Sequence, residues 1–79
     1  MFDAEKAHRR QDLERHAQAA LVKLDRELQA LEAFGARRVL TRLEEYAADL
    51  DLAALQSIIV DLSIAKREYD AFKAQLKRL

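Results

Sequence analysis

From Leu13 onward apolar side chains recur at Leu13, Ala17, Leu21, Leu24, Leu28 and Leu31, the three-and-four spacing that keeps one face of a helix dry. Residues 3–12 lack that stripe. Lys6, Arg9 and Arg10 stand where apolar groups would be needed, so this stretch is predicted to be helical but solvated, and frayed at its start. At Asp49-Leu50-Asp51-Leu52 the apolar phase shifts, and either aspartate can cap a new helix. Beyond it Leu52, Leu55, Ile59, Leu62, Tyr69 and Leu76 mark a second three-four repeat, widened by Ile58, Ala65, Phe72 and Leu79. Helical throughout, residues 52–79 would span about 42 Å at a rise of 1.5 Å per residue.

Gly35 is the one conventional helix breaker between these stripes, and it supports two readings. In the first, the helix ends at Phe34 and Gly35 supplies a left-handed residue past the end. Arg37 and Arg38 then sit beside the terminal carbonyls. Thr41-x-x-Glu44 becomes a capping box for the next helix, with Glu44 and Glu45 in its first turn. In the second, the helix runs on, because Val39, Leu43, Tyr46 and Leu50 continue the stripe in phase. Charge and capping together favour a break or kink, although a mid-helix glycine costs only ~1 kcal/mol. The expectation is a single all-α domain over residues 1–79, with helices at about 3–34, 41–50 and 52–79. Its form is a helical hairpin or irregular three-helix bundle with coiled-coil-like packing. The expected core seam comprises Leu21, Leu24, Leu28, Leu31, Leu55, Ile59, Leu62, Tyr69, Phe72 and Leu76.

The last helix carries apolar residues on two sides. Leu55, Ile58, Ile59, Leu62, Ala65, Tyr69, Phe72 and Leu76 fill one broad face. Ala53, Ser57, Val60, Ile64 and Ala71 form a stripe nearly opposite. A helix apolar on both sides is usually buried on both sides. One side can be covered by the first helix. The other needs a third helix, either the short middle segment or another molecule, and those five residues are therefore the expected protein interface. Marginal size favours another molecule, since a domain of 79 residues buries little surface by itself.

Composition agrees with helix nearly everywhere: there is no proline, one glycine, and Ala, Leu, Glu, Lys, Arg and Gln dominate. The Ala, Leu and Arg bias suggests a GC-rich bacterial genome by association. No cysteine is present, which rules out disulfides, thiolate metal ligands and a cysteine nucleophile. The charged start MFDAEKAHRR and a longest large-apolar run of Ile58-Ile59-Val60 argue against a signal peptide or membrane span, so a cytoplasmic location is expected. Fourteen basic and fourteen acidic residues cancel, so no global field draws the chain to nucleic acid or anionic lipid.

Three clusters invite chemistry. His8 and His16 lie in line with Asp12 at i, i+4 and i+8, and Glu5-x-x-His8 has the spacing used in carboxylate-bridged metal bundles. Such bundles need two of those motifs and two further glutamates, so a solvated face with i,i+4 pairs is the better reading. Glu44, Glu45, Asp49 and Asp51 resemble an acid and base set, but nothing around them suggests the cleft that would drive their pKa values apart. The basic pairs Arg9-Arg10, Arg37-Arg38, Lys66-Arg67 and Lys77-Arg78 are dispersed and mostly flanked by acids, which makes nucleic acid an unlikely partner. No catalytic residue, metal site or cofactor is implied, and no enzyme activity is expected.

The pieces Asp25-Arg26-Glu27-Leu28, Gly35 and Ala54-Leu55-Gln56-Ser57, in that order, distantly resemble the helical-hairpin chaperones of needle subunits in bacterial type III secretion. The spacing between the pieces differs, the last helix here is longer, and no diagnostic residue is shared, so membership does not follow. The function expected from the helix faces is a non-enzymatic protein-interaction module: an adaptor, assembly factor or small chaperone that packs against a helix of a client or of its own copy. The alternative is a small DNA-associated regulator using the basic pairs. A metal-binding bundle stands behind both.

Overall fold

The computed structural model describes residues 4–79, which form three helices: α1 (Ala4–Leu40), α2 (Leu43–Asp49) and α3 (Leu52–Arg78). The expected start at residue 3 lies outside the described residues. Helix α1 does not break at Gly35. It continues to Leu40, and no described residue has positive φ. The flanking Ala33, Phe34, Ala36, Arg37 and Arg38 tolerate or favour helix, and one glycine costs about 1 kcal/mol, too little to terminate a helix on its own. The chain turns instead at Thr41-Arg42. Arg42 adopts extended geometry (φ −62°, ψ 144°) at the start of α2.

The expected capping box at Thr41 does not form. The Thr41 hydroxyl donates backward to the Arg37 carbonyl of α1 at 2.7 Å, and α2 begins with no side-chain cap. Glu44 and Glu45 do lie in the first turn of α2, where they favour the positive end of the helix dipole. An extended pair, Leu50 and Asp51, separates α2 from α3. There the aspartate cap is realised: the Asp51 carboxylate accepts from the Ala54 amide at 3.0 Å. Lys77 and Arg78 occupy the last turn of α3.

Helices α1 and α3 pack antiparallel along their lengths. Lys23 faces Glu68 and His16 faces Phe72, so residue numbers fall on α1 as they rise on α3. The short α2 makes few contacts with α1 and none with α3. The result is an elongated hairpin of 67 × 18 × 13 Å. Its radius of gyration is 18.5 Å, against about 12 Å for a globular domain of this length.

The buried core among the described residues is Leu13, Ala17, Ala20 and Ala65. Three of the four are alanines, which let the helix backbones approach closely. Leu24, Leu31, Phe34, Leu55, Ile58, Leu62, Tyr69, Phe72 and Leu76 line the contact half-buried. Leu21, Leu28 and Ile59, which the apolar stripes place in the seam, are instead exposed by 39%, 41% and 48%. The physical reason is geometric: a helix with one neighbour covers only a narrow arc, and the leucine stripe is wider than that arc. No described helix is long and apolar enough to cross a membrane.

Candidate interaction surface

Two long sides of the hairpin flank the α1–α3 contact, and they differ in chemistry. On one side a shallow cleft is lined by Glu14, Ala17, Gln18 and Leu21 of α1 and by Tyr69, Lys73 and Leu76 of α3. It continues along α1 past Leu24, Asp25 and Leu28. Glu14, Leu21 and Leu28 are spaced by seven residues, as are Ile59, Lys66 and Lys73 on α3, and residues seven apart lie almost in line on a helix. The exposed Leu21, Leu28 and Ile59 therefore share this side. Together with the half-buried Leu24, Leu31, Leu55 and Leu62 they make the middle of its half nearer the α2 turn apolar, with charged residues such as Asp25 along the edge.

The opposite side is charged. Lys23, Arg26 and Glu27 face Asp61, Ile64, Ala65 and Glu68 across a second cleft, spanned by the Lys23–Glu68 ion pair at 3.8 Å. Both partners are well exposed, so the pair contributes little to stability. The five residues expected as an interface, Ala53, Ser57, Val60, Ile64 and Ala71, are all exposed. Ile64 borders the charged cleft, and α2 covers none of the five, so the closed-bundle arrangement in which the middle segment buries this stripe is not the one adopted. Val39 and Leu40, at the end of α1, are 82% and 86% exposed. Leu43 and Leu52, which begin the next two helices, are exposed as well.

The candidate chemical clusters take structural parts. His16 Nδ1 lies 2.6 Å from the Asp12 carbonyl oxygen, and a carbonyl only accepts, so Nδ1 carries the proton. His8 Nε2 stands 3.7 Å from the Asp12 carboxylate at the surface. Among the described residues no group of three or more potential ligands is placed to hold a metal. Glu44, Glu45, Asp49 and Asp51 are exposed, and Asp51 is engaged as a helix cap. Lys66 is held by Asp70 at 2.6 Å. Arg9 lines a cleft with Leu79, which brings Arg9-Arg10 and Lys77-Arg78 to one end of the hairpin. Arg37-Arg38 lie at the other.

Sequence reasoning missed Ala20 as a core residue and missed that Leu21, Leu28 and Ile59 would face outward together. A detectable signal was present. Ala17, Ala20, Leu24, Glu27 and Leu31 keep a three-four spacing of their own, rotated from the leucine stripe. Comparison with known proteins adds nothing to this surface: no family model matches the chain, and neither a curated protein nor a solved structure does.

Proposed function

We propose that the chain is a non-enzymatic helix-packing module that works by binding other helices, its own copies foremost, as an adaptor, assembly factor or small chaperone of the bacterial cytoplasm. The observation that carries this reading is how little the hairpin buries. Its accessible surface is 6472 Å², whereas a compact monomer of 9.1 kDa exposes about 4,900 Å². Large apolar residues account for part of the excess: Leu21, Val22, Leu28, Ile59, Val60 and Ile64 are all exposed. A helix that keeps apolar side chains on two sides gains most from a neighbour on each. The stripe Ala53, Ser57, Val60, Ile64 and Ala71 and the side bearing Leu21, Leu28 and Ile59 are the two places for such a neighbour.

The solution mass of the pure protein, by light scattering across micromolar concentrations, tests the reading. A dimer or larger species is expected. A fully helical, thermally stable monomer at every concentration counts against self-association, and a poorly folded monomer points to an obligate partner of another kind.

A DNA-associated regulator is the second reading. The gathering of Arg9-Arg10 and Lys77-Arg78 at one end favours it locally. A salt titration of nonspecific DNA binding separates the two, because phosphate contacts give steep salt dependence and apolar helix docking does not.

A further inference from the structure

We propose that a second copy of this chain covers the side bearing Leu21, Leu28 and Ile59. The two hairpins form a four-helix bundle whose two-fold axis runs along the hairpin, so that α1 of each lies over α3 of the other. The inference rests on the self-association reading and adds the face and the symmetry.

Area is the first argument. The α1–α3 overlap is set by α3, whose 27 residues span about 40 Å. With a molecular width of 18 Å, one side of the hairpin offers roughly 700 Å² in plan. A stable interface of standard size buries about 800 Å² per partner. The proposed side thus has the dimensions of a complete interface, and pairing it would cover Leu21, Leu28 and Ile59 with like residues.

Charge selects this side and its symmetry. Along it the α1 edge carries Glu14, Gln18, Asp25 and Glu32, with Arg10 toward the free end. The α3 edge carries Lys66, Lys73 and Lys77. The α3 edge also carries Asp70, which is bonded to Lys66, and the edge keeps a net positive charge through Lys73 and Lys77. One edge is therefore acidic and the other basic. Face-to-face packing of two hairpins allows two kinds of two-fold axis. An axis across the hairpin lays α1 on α1 and α3 on α3, setting acid against acid and base against base, which is destabilising. An axis along the hairpin lays each acidic edge on a basic one.

Heights agree as well. Within one chain Lys23 stands level with Glu68, and Leu21 shares a cleft with Tyr69 and Lys73. Asp25 is therefore level with Lys66, and Glu14 with Lys77. The lengthwise axis preserves height, so it brings Asp25 to Lys66 of the second copy and Glu14 to its Lys77. On the opposite side the α1 edge mixes Lys23 and Arg26 with Glu27, and the acids of the α3 edge, Asp61 and Glu68, face them within the chain, where Lys23 pairs with Glu68.

Because the chain has no cysteine, crosslinking reads the geometry directly. Asp25→Cys and Lys66→Cys are made as separate proteins and oxidised alone and as an equimolar mixture. The expected result is a disulfide-linked dimer in the mixture and little in either protein alone. Crosslinking of Asp25→Cys by itself overturns the lengthwise axis, since residue 25 lies near the middle of the Leu21–Leu28 stretch and would meet its own copy under the crosswise axis.

A double variant, Leu21→Glu with Leu28→Glu, tests the face without oxidation. It alters two positions exposed in the single hairpin. The mass should fall from twice 9.1 kDa to 9.1 kDa while the helical circular dichroism of the folded chain persists. If the unmodified protein is a dimer, this variant stays dimeric, and Val60→Lys with Ile64→Glu dissociates it, then the face proposed here is wrong and self-association stands. If the unmodified protein is a stable monomer throughout, the self-association reading itself fails.

Discussion

The imidazole of His16 lies against the ring of Phe72 across the hairpin, with centroids 5.3 Å apart and planes inclined by 31°. Its Nδ1 meanwhile donates to the carbonyl of Asp12 one turn earlier. A histidine on a solvated face by spacing alone thus helps to hold α3 against the first half of α1. His16→Ala should lower stability by about 0.5–1 kcal/mol, the scale of an aromatic pair at a partly open site. His8→Ala, at the surface beside Asp12, should leave the melting temperature unchanged. Equal effects in the two variants, read by thermal denaturation, would show that the His16–Phe72 contact contributes nothing.

Gly35→Ala should stabilise the protein. The backbone there is helical, φ is not positive, and an added Cβ meets nothing within 4 Å. Replacing a glycine in an exposed helix interior gains about 0.5–1 kcal/mol from propensity and reduced unfolded-state entropy. In a domain of this size that raises the melting temperature by a few degrees. A lower melting temperature would place a left-handed residue at Gly35 and divide α1 in two.

Ala65→Leu should be harmful, because Ala65 is only 3% exposed at the contact between α1 and α3. Forcing three more carbons into that gap separates the helices or strains rotamers, at a cost of about 1–3 kcal/mol. Ala74→Leu, at an exposed position of the same helix, is the control and should change chemical denaturation little. If both variants unfold at the same denaturant concentration, the alanines do not set the helix separation.

Asp51→Ala removes the carboxylate that accepts from the Ala54 amide and should cost about 1 kcal/mol, the usual value of an N-cap. Asp49→Ala should cost less, since Asp49 closes α2 and a negative charge at a helix C-terminus opposes the dipole. Urea titrations of the two variants give the comparison. A larger loss at Asp49 would mean that the start of α3 is held by something other than its cap.

Local chemistry was enough to read the elements. Apolar spacing, the absence of proline and the Asp51 cap depend on neighbours three or four residues away, so the all-α class, the beginning of α3 and the reversal between the long helices follow from the sequence. The capping signals at Arg37, Arg38 and Thr41 do not end α1 at Gly35, because a mid-helix glycine costs only about 1 kcal/mol. The Thr41 hydroxyl then bonded backward to Arg37 instead of forward.

What only the tertiary structure decided is which arc of each helix meets the other. Periodicity marks an apolar stripe but not its rotation about the helix axis. With a single neighbour, each helix buries the arc that allows the closest approach. That arc holds Ala17, Ala20 and Ala65, because small side chains let two backbones come together along a shared length. Leu21, Leu28 and Ile59 are left outside by the same choice, and their outward position exists only once α1 and α3 are paired.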